Sequence, residues 1–129
     1  MESIVKLMQQ RPGLCAMKGI SEEEITRAET ALGLHFSTDY RQYVSAFGVA
    51  SYDSHELTGI CASKRLNVVD VTLSERARVS VPADWYVLEQ THIDNIVVWQ
   101  SDEGEVYWVY SNGTITKVAR SLSEYFHRS

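Results

Sequence analysis

The stretch "ISEEEITRAETALGLHFSTDYRQYVSAFG", residues 20–48, constrains this chain more than any other. Ser21 is a good N-cap, and Glu24 three places on completes a capping box. Ile20 and Ile25 flank the cap as a hydrophobic staple. Gly33 supplies the left-handed residue that ends a helix over 22–32. After "LHF", Ser37 opens a second helix. Its Tyr40, Tyr43, Val44 and Phe47 fall at i, i+3, i+4 and i+7, and Gly48 stops it. Two amphipathic helices joined by a short turn are therefore expected here.

One residue breaks the pattern. Ile25, Ala28 and Leu32 form the apolar stripe of the first helix, and Glu29 sits on that same stripe. A buried carboxylate is tolerated only when its acceptors are used. The sharp turn over 33–38 has backbone N–H groups that need acceptors, and Arg41 is a cation within reach. Glu29 is read as a structural acceptor for these groups. A general acid is the competing reading, but it needs a second group and a pocket.

The rest of the chain divides in two. Residues 2–10 read as a short helix with Ile4, Leu7 and Met8 on one face, ended by "RPG". Residues 49–62 turn extended. Residues 67–78 read as a helix capped by Asn67. Past Pro82 come short runs rich in Val, Ile, Tyr and Trp: "WYVLEQ", "NIVVWQ", "EVYWVY" and "TITKVA". Their connectors, "SDEG" and "SNG", are turn chemistry, and Asn112-Gly113 is a strong hairpin signal. An antiparallel meander follows. Ser121 and Glu124 then open a terminal helix. Helices first and strands after give an α+β class: a central, mainly antiparallel sheet of about five to six strands flanked by helices. With 129 residues and no linker or repeat, one domain over 1–129 is expected.

Composition narrows the function. There are 17 acids against 12 bases, a net charge of −5. Binding to a phosphate backbone needs a basic surface, so nucleic acid is not the expected partner. No apolar run approaches a membrane span, and the N-terminus lacks the layout of a signal peptide, so a cytoplasmic location is expected. Cys15 and Cys61 form no CxxC and are read as small buried hydrophobes. The four histidines, His35, His55, His92 and His127, show no metal spacing. His55 with Asp53 lacks the nucleophile and oxyanion hole that catalysis requires. No catalytic residue, metal or cofactor is expected. Trp85, Trp99, Trp108, Tyr107 and Tyr110 have acidic rather than basic neighbours, which favours a core face plus a partly exposed sheet face over a base-stacking platform. Asp53, Glu56, Asp102, Glu103 and Glu105 are either ordinary solvated loop residues or an acidic rim that meets a cationic partner.

The 20–48 stretch also resembles the signature of the SUKH superfamily, the Smi/Knr-type domain. The matching positions are Ile25, Glu29, Leu32, Gly33, Asp39, Tyr40 and Gly48. "PADWYVLE", "SDEGEVYWVY" and "SLSEYFHRS" extend the similarity over most of the chain. Ser37 departs from it, standing where the family often has proline. The resemblance implies an α+β domain without catalytic apparatus. Most bacterial members are immunity proteins that bind and neutralise the C-terminal domain of a polymorphic secreted toxin, often a nuclease. Others are scaffold or regulatory modules binding an endogenous protein, which is the alternative reading. Exposed sheet edges in such folds also allow a homodimer.

Overall fold

The computed structural model describes residues 3–128. Helix α1 spans Ile4–Gln9, so the start of the expected 2–10 helix lies outside the described residues. Helices α2 (Glu22–Leu32) and α3 (Thr38–Phe47) form the expected pair. Ser21 Oγ accepts from the Glu24 N–H at 3.3 Å. The reciprocal half of the capping box is altered, because the Glu24 carboxylate takes the Ser21 hydroxyl instead of its backbone N–H. Gly33 closes α2 at φ 70°, a conformation that favours a residue without Cβ. Helix α4 (Val68–Arg76) is capped by Asn67, and α5 (Leu122–Arg128) closes the described chain.

The strands are β1 (Cys15–Ala16), β2 (Ala50–Tyr52), β3 (His55–Glu56), β4 (Tyr86–Gln90), β5 (Val97–Gln100), β6 (Val106–Val109) and β7 (Ile115–Ala119). All pairings between these strands are antiparallel, and the α+β class is as expected. The strands divide into two sheets, β1-β2-β3 and β4-β5-β6-β7. The seam between them is local: Leu57 pairs with Glu89, and the Thr58 N–H donates to the Leu88 carbonyl at 2.7 Å. The two-residue β1 carries no periodicity and escapes sequence reading. The Asn112-Gly113 turn is a longer loop than a two-residue hairpin, with Tyr110 N–H bonded to the Thr114 carbonyl and Gly113 at φ 91°.

The four-stranded sheet is covered on both faces. Tyr86, Leu88, Val98, Val106 and Ala119 belong to the main core with Tyr40, Tyr43 and Val44 of α3 and Phe126 of α5. Val87, Trp99 and Val109 pack with Trp85 and with Val71 of α4 on the other side. Three phenols tie the layers together. Tyr43 OH donates to the Thr58 carbonyl at 2.8 Å, and Tyr86 OH donates to Gln100 Oε1 at 2.7 Å. Tyr40 OH meets Thr58 Oγ1, whose own proton goes to the Val87 carbonyl. Gly59 is required where the chain crosses between sheets, because a Cβ there would lie 1.9 Å from the Gly48 carbonyl oxygen. The cysteines correct an expectation: Cys15, on the edge strand β1, is exposed, and Cys61, in the loop after β3, is half-buried. No helix among the described residues is long and apolar enough to cross a membrane.

Candidate functional site

The signature residues resolve into a scaffold. Glu29 is 7% exposed. Its Oε2 accepts the Phe36 N–H at 2.8 Å, and its Oε1 receives Arg41 Nη1 at 2.5 Å. Both acceptor roles foreseen for it, toward the 33–38 turn and toward Arg41, are present together. The bond to Glu29, with Glu22 adding its own charge, raises the Arg41 pKa above its ordinary value. Leu32 and Tyr40 are core, and Gly48 takes φ 72° beneath the Lys18 carbonyl. Asp39 binds three segments. Its Oδ2 accepts from the Leu122 N–H (2.7 Å) and the Ser123 N–H (3.3 Å), so a residue of α3 caps α5. Its Oδ1 takes the Ser37 hydroxyl at 2.6 Å and the Gln100 amide at 3.3 Å.

The five acids of the expected rim fall into two groups. Asp53 sits in the turn of the β2–β3 hairpin and Glu56 ends β3, which leads to the Glu89 end of β4. Asp102, Glu103 and Glu105 occupy the β5–β6 turn, beside the Tyr86 end of β4. Three of the five are neutralised within the chain. Asp53 bonds Arg11 at 2.6 Å. Glu56 receives both guanidinium nitrogens of Arg65, at 2.9 and 3.0 Å, which lowers its pKa. Glu105 receives Lys117 Nζ at 2.5 Å and the Tyr107 hydroxyl at 2.8 Å, and these bonds lower its pKa.

Asp102 and Glu103 differ. Both are exposed, and neither has a cationic partner among the described residues. The turn that carries them is held from below. Buried Gln100 donates to the Gly104 carbonyl at 2.9 Å, and buried Ser101 accepts the Glu105 N–H through its hydroxyl. Asp84, from the loop before β4, joins them. The closeness of its carboxyl group to that of Asp102, followed by burial and by the charges of Asp84 and Glu103, raises the Asp102 pKa above the usual carboxylate value. Like charges are thus crowded here. Beside them Tyr107 stacks on Trp85, with ring centroids 4.1 Å apart and planes at 13°. Burial and the Glu105 bond push the Tyr107 pKa up to about 12. A firm turn with bunched unpaired acids over an aromatic pair is suited to meeting a cationic protein surface.

Sequence reading missed Asp84 and two buried carboxylates, Glu89 and Glu75. Glu89 explains His55: its carboxylate lies 2.9 Å from His55 Nδ1 and accepts the Tyr125 hydroxyl at 2.6 Å. His55 therefore pairs with Glu89, not with Asp53. The cause is a register shift between Val87 and Glu89. Val87 faces Trp99 of the α4 side, whereas Glu89 faces Val98 of the main core. A bulge thus turns Glu89 to the opposite face from the one simple alternation assigns. No signal in the sequence marks that bulge. Among the described residues no group of His, Cys, Asp and Glu is arranged to hold a metal ion.

A family model described as SUKH_5, SMI1-KNR4 cell-wall, matches the chain over residues 1–129. The chain belongs to the SMI1-KNR4 (SUKH) family. Among curated proteins none matches it. Membership of the SUKH family is consistent with an immunity-type protein. In this SUKH chain the scaffold is the Glu29–Arg41 and Asp39–α5 bonding, and the β5–β6 turn carries two exposed acids with no cation paired to them among the described residues.

Proposed function

We propose that this SUKH-family protein is an immunity protein. It binds the toxin domain of a secreted polymorphic toxin and neutralises it by occlusion. The toxin is a basic protein, and a nuclease is the favoured class, because a nuclease needs cationic surface to grip its substrate. The observation that carries this reading is the crowding of Asp84, from the loop before β4, against Asp102 and Glu103 of the firmly held β5–β6 turn, with no cation paired to any of them among the described residues. An incoming lysine or arginine relieves their mutual repulsion, so binding gains energy that a solvated, already paired carboxylate does not offer. Asp53, Glu56 and Glu105 contribute less, because a partner must first displace Arg11, Arg65 or Lys117. The protein acts by covering its target and transforms no substrate. Charge steering makes association fast and salt-sensitive.

The test is co-expression with the toxin domain that this reading expects to be encoded beside it. Wild-type protein is expected to rescue growth and to co-purify with that domain. The double reversal Asp102→Lys, Glu103→Lys is expected to slow association at least tenfold at low salt while the thermal midpoint is kept. Failure to rescue ends the immunity reading. Rescue with an unchanged association rate in the double variant removes this turn from the interface.

A further inference from the structure

The second buried carboxylate lies in a cavity of about 260 Å³ between the end of α4, the β4–β5 loop and the outer side of the meander. Glu75, Arg78, Gln90, Asn95, Trp99 and Tyr110 are among its walls. Glu75 is only 5% exposed. Its Oε2 accepts the Gln90 amide at 2.6 Å. No cation is paired with it among the described residues, since Arg78, although it lines the same cavity, forms no ion pair. The other two buried carboxylates among the described residues have two strong donors or a cation: Glu29 has Arg41, and Glu89 has His55 and Tyr125. A carboxylate out of water with one neutral partner is under-compensated. Aromatic rings beside a carboxylate suit a cation. The β4–β5 loop holds His92, Asp94 and Asn95 at positive φ (59°, 51° and 57°), a backbone state that side chains seldom take and that recurs at ligand clamps.

We propose that this cavity binds a guanidinium or ammonium head group on the Glu75 carboxylate, with the half-buried Tyr110 ring as a wall and the buried Trp99 in the layer beneath. The cation enters past Arg78, which is exposed at the mouth and placed to meet an anionic group on the same ligand. Two sources carry that chemistry: a free basic amino acid, or an arginine or lysine side chain of a protein. The inference does not depend on toxin neutralisation, because small probes test it on the isolated protein.

The measurement is a titration of the Trp99 indole N–H resonance with L-arginine, with N-acetyl-L-arginine amide, and with the neutral isostere N-acetyl-L-citrulline amide. Saturable shifts are expected for the two arginine probes, with Kd on the order of 1–10 mM for ligands of this size. The citrulline probe is expected to bind at least tenfold more weakly. Glu75→Gln, which keeps an acceptor for Gln90, is expected to lose arginine binding by a similar factor. If that variant does not fold, the arginine–citrulline comparison on the wild-type protein decides alone. Tenfold preference for free arginine over the capped form identifies a free amino acid, with Arg78 on its carboxylate. Equal affinity identifies a protein side chain. A response to citrulline equal to that to arginine, the absence of saturation, or full binding by a folded Glu75→Gln protein overturns the proposal.

Discussion

Replacing Glu29 by alanine removes two different interactions, and the structure apportions them. The Phe36 N–H is buried and gives its bond to Glu29 Oε2. Left without an acceptor, it costs about 2 kcal/mol. Arg41 is 28% exposed at its side chain and also bonds Glu22, so losing the Glu29 partner costs only about 1 kcal/mol. The expected loss for Glu29→Ala is about 3 kcal/mol. With an unfolding entropy of roughly 2.1 cal/mol/K per residue, the thermal midpoint falls by about 11 °C. Glu29→Gln separates the two contributions. Its amide oxygen still accepts from Phe36, whereas the charge opposite Arg41 is gone. That variant is expected to lose about 1 kcal/mol, or about 4 °C. Urea denaturation and calorimetry on the three proteins check this. Equal losses in the two variants, or a loss below about 1 kcal/mol for alanine, refute the assignment of Glu29 as the acceptor of the turn.

Two further outcomes follow from the buried polar groups. Asp39→Ala is expected to cost about 2 kcal/mol and to speed amide exchange at Leu122 and Ser123, the two N–H groups it caps; unchanged protection there contradicts the capping role. Burial raises the pKa values of Tyr40, Tyr43, Tyr86 and Tyr125. Their folded values lie above the unfolded value near 10, so their contribution is complete below about pH 10 and lost as pH rises beyond it. Four such groups give a slope of about 5 kcal/mol per pH unit. Phenolate absorbance and circular dichroism are expected to change together in one steep step; gradual ionisation of a folded chain contradicts it.

What was legible in the sequence is local in origin. Ser21, Ser37, Asn67 and Ser121 act on N–H groups two or three residues away, so helix starts can be read from neighbours along the chain. The apolar periods of α2 and α3 predict which side is buried, and an anomalous Glu29 on that side predicts that acceptors are in demand nearby. What tertiary structure decided is every property that depends on distant partners. Arg11 reaches Asp53 across 42 residues, and Lys117 reaches Glu105 across 12. Of the five rim acids, those pairings leave Asp102 and Glu103 without a cation among the described residues, and folding brings Asp84 beside them. The bulge in β4 turned Glu89 to the core and gave His55 its partner, and the closure of α4 over the sheet buried Glu75 beside Gln90. Local bonding follows from chain proximity, which a sequence displays; the net charge a surface offers depends on which side chains folding brings together, and no spacing rule records that.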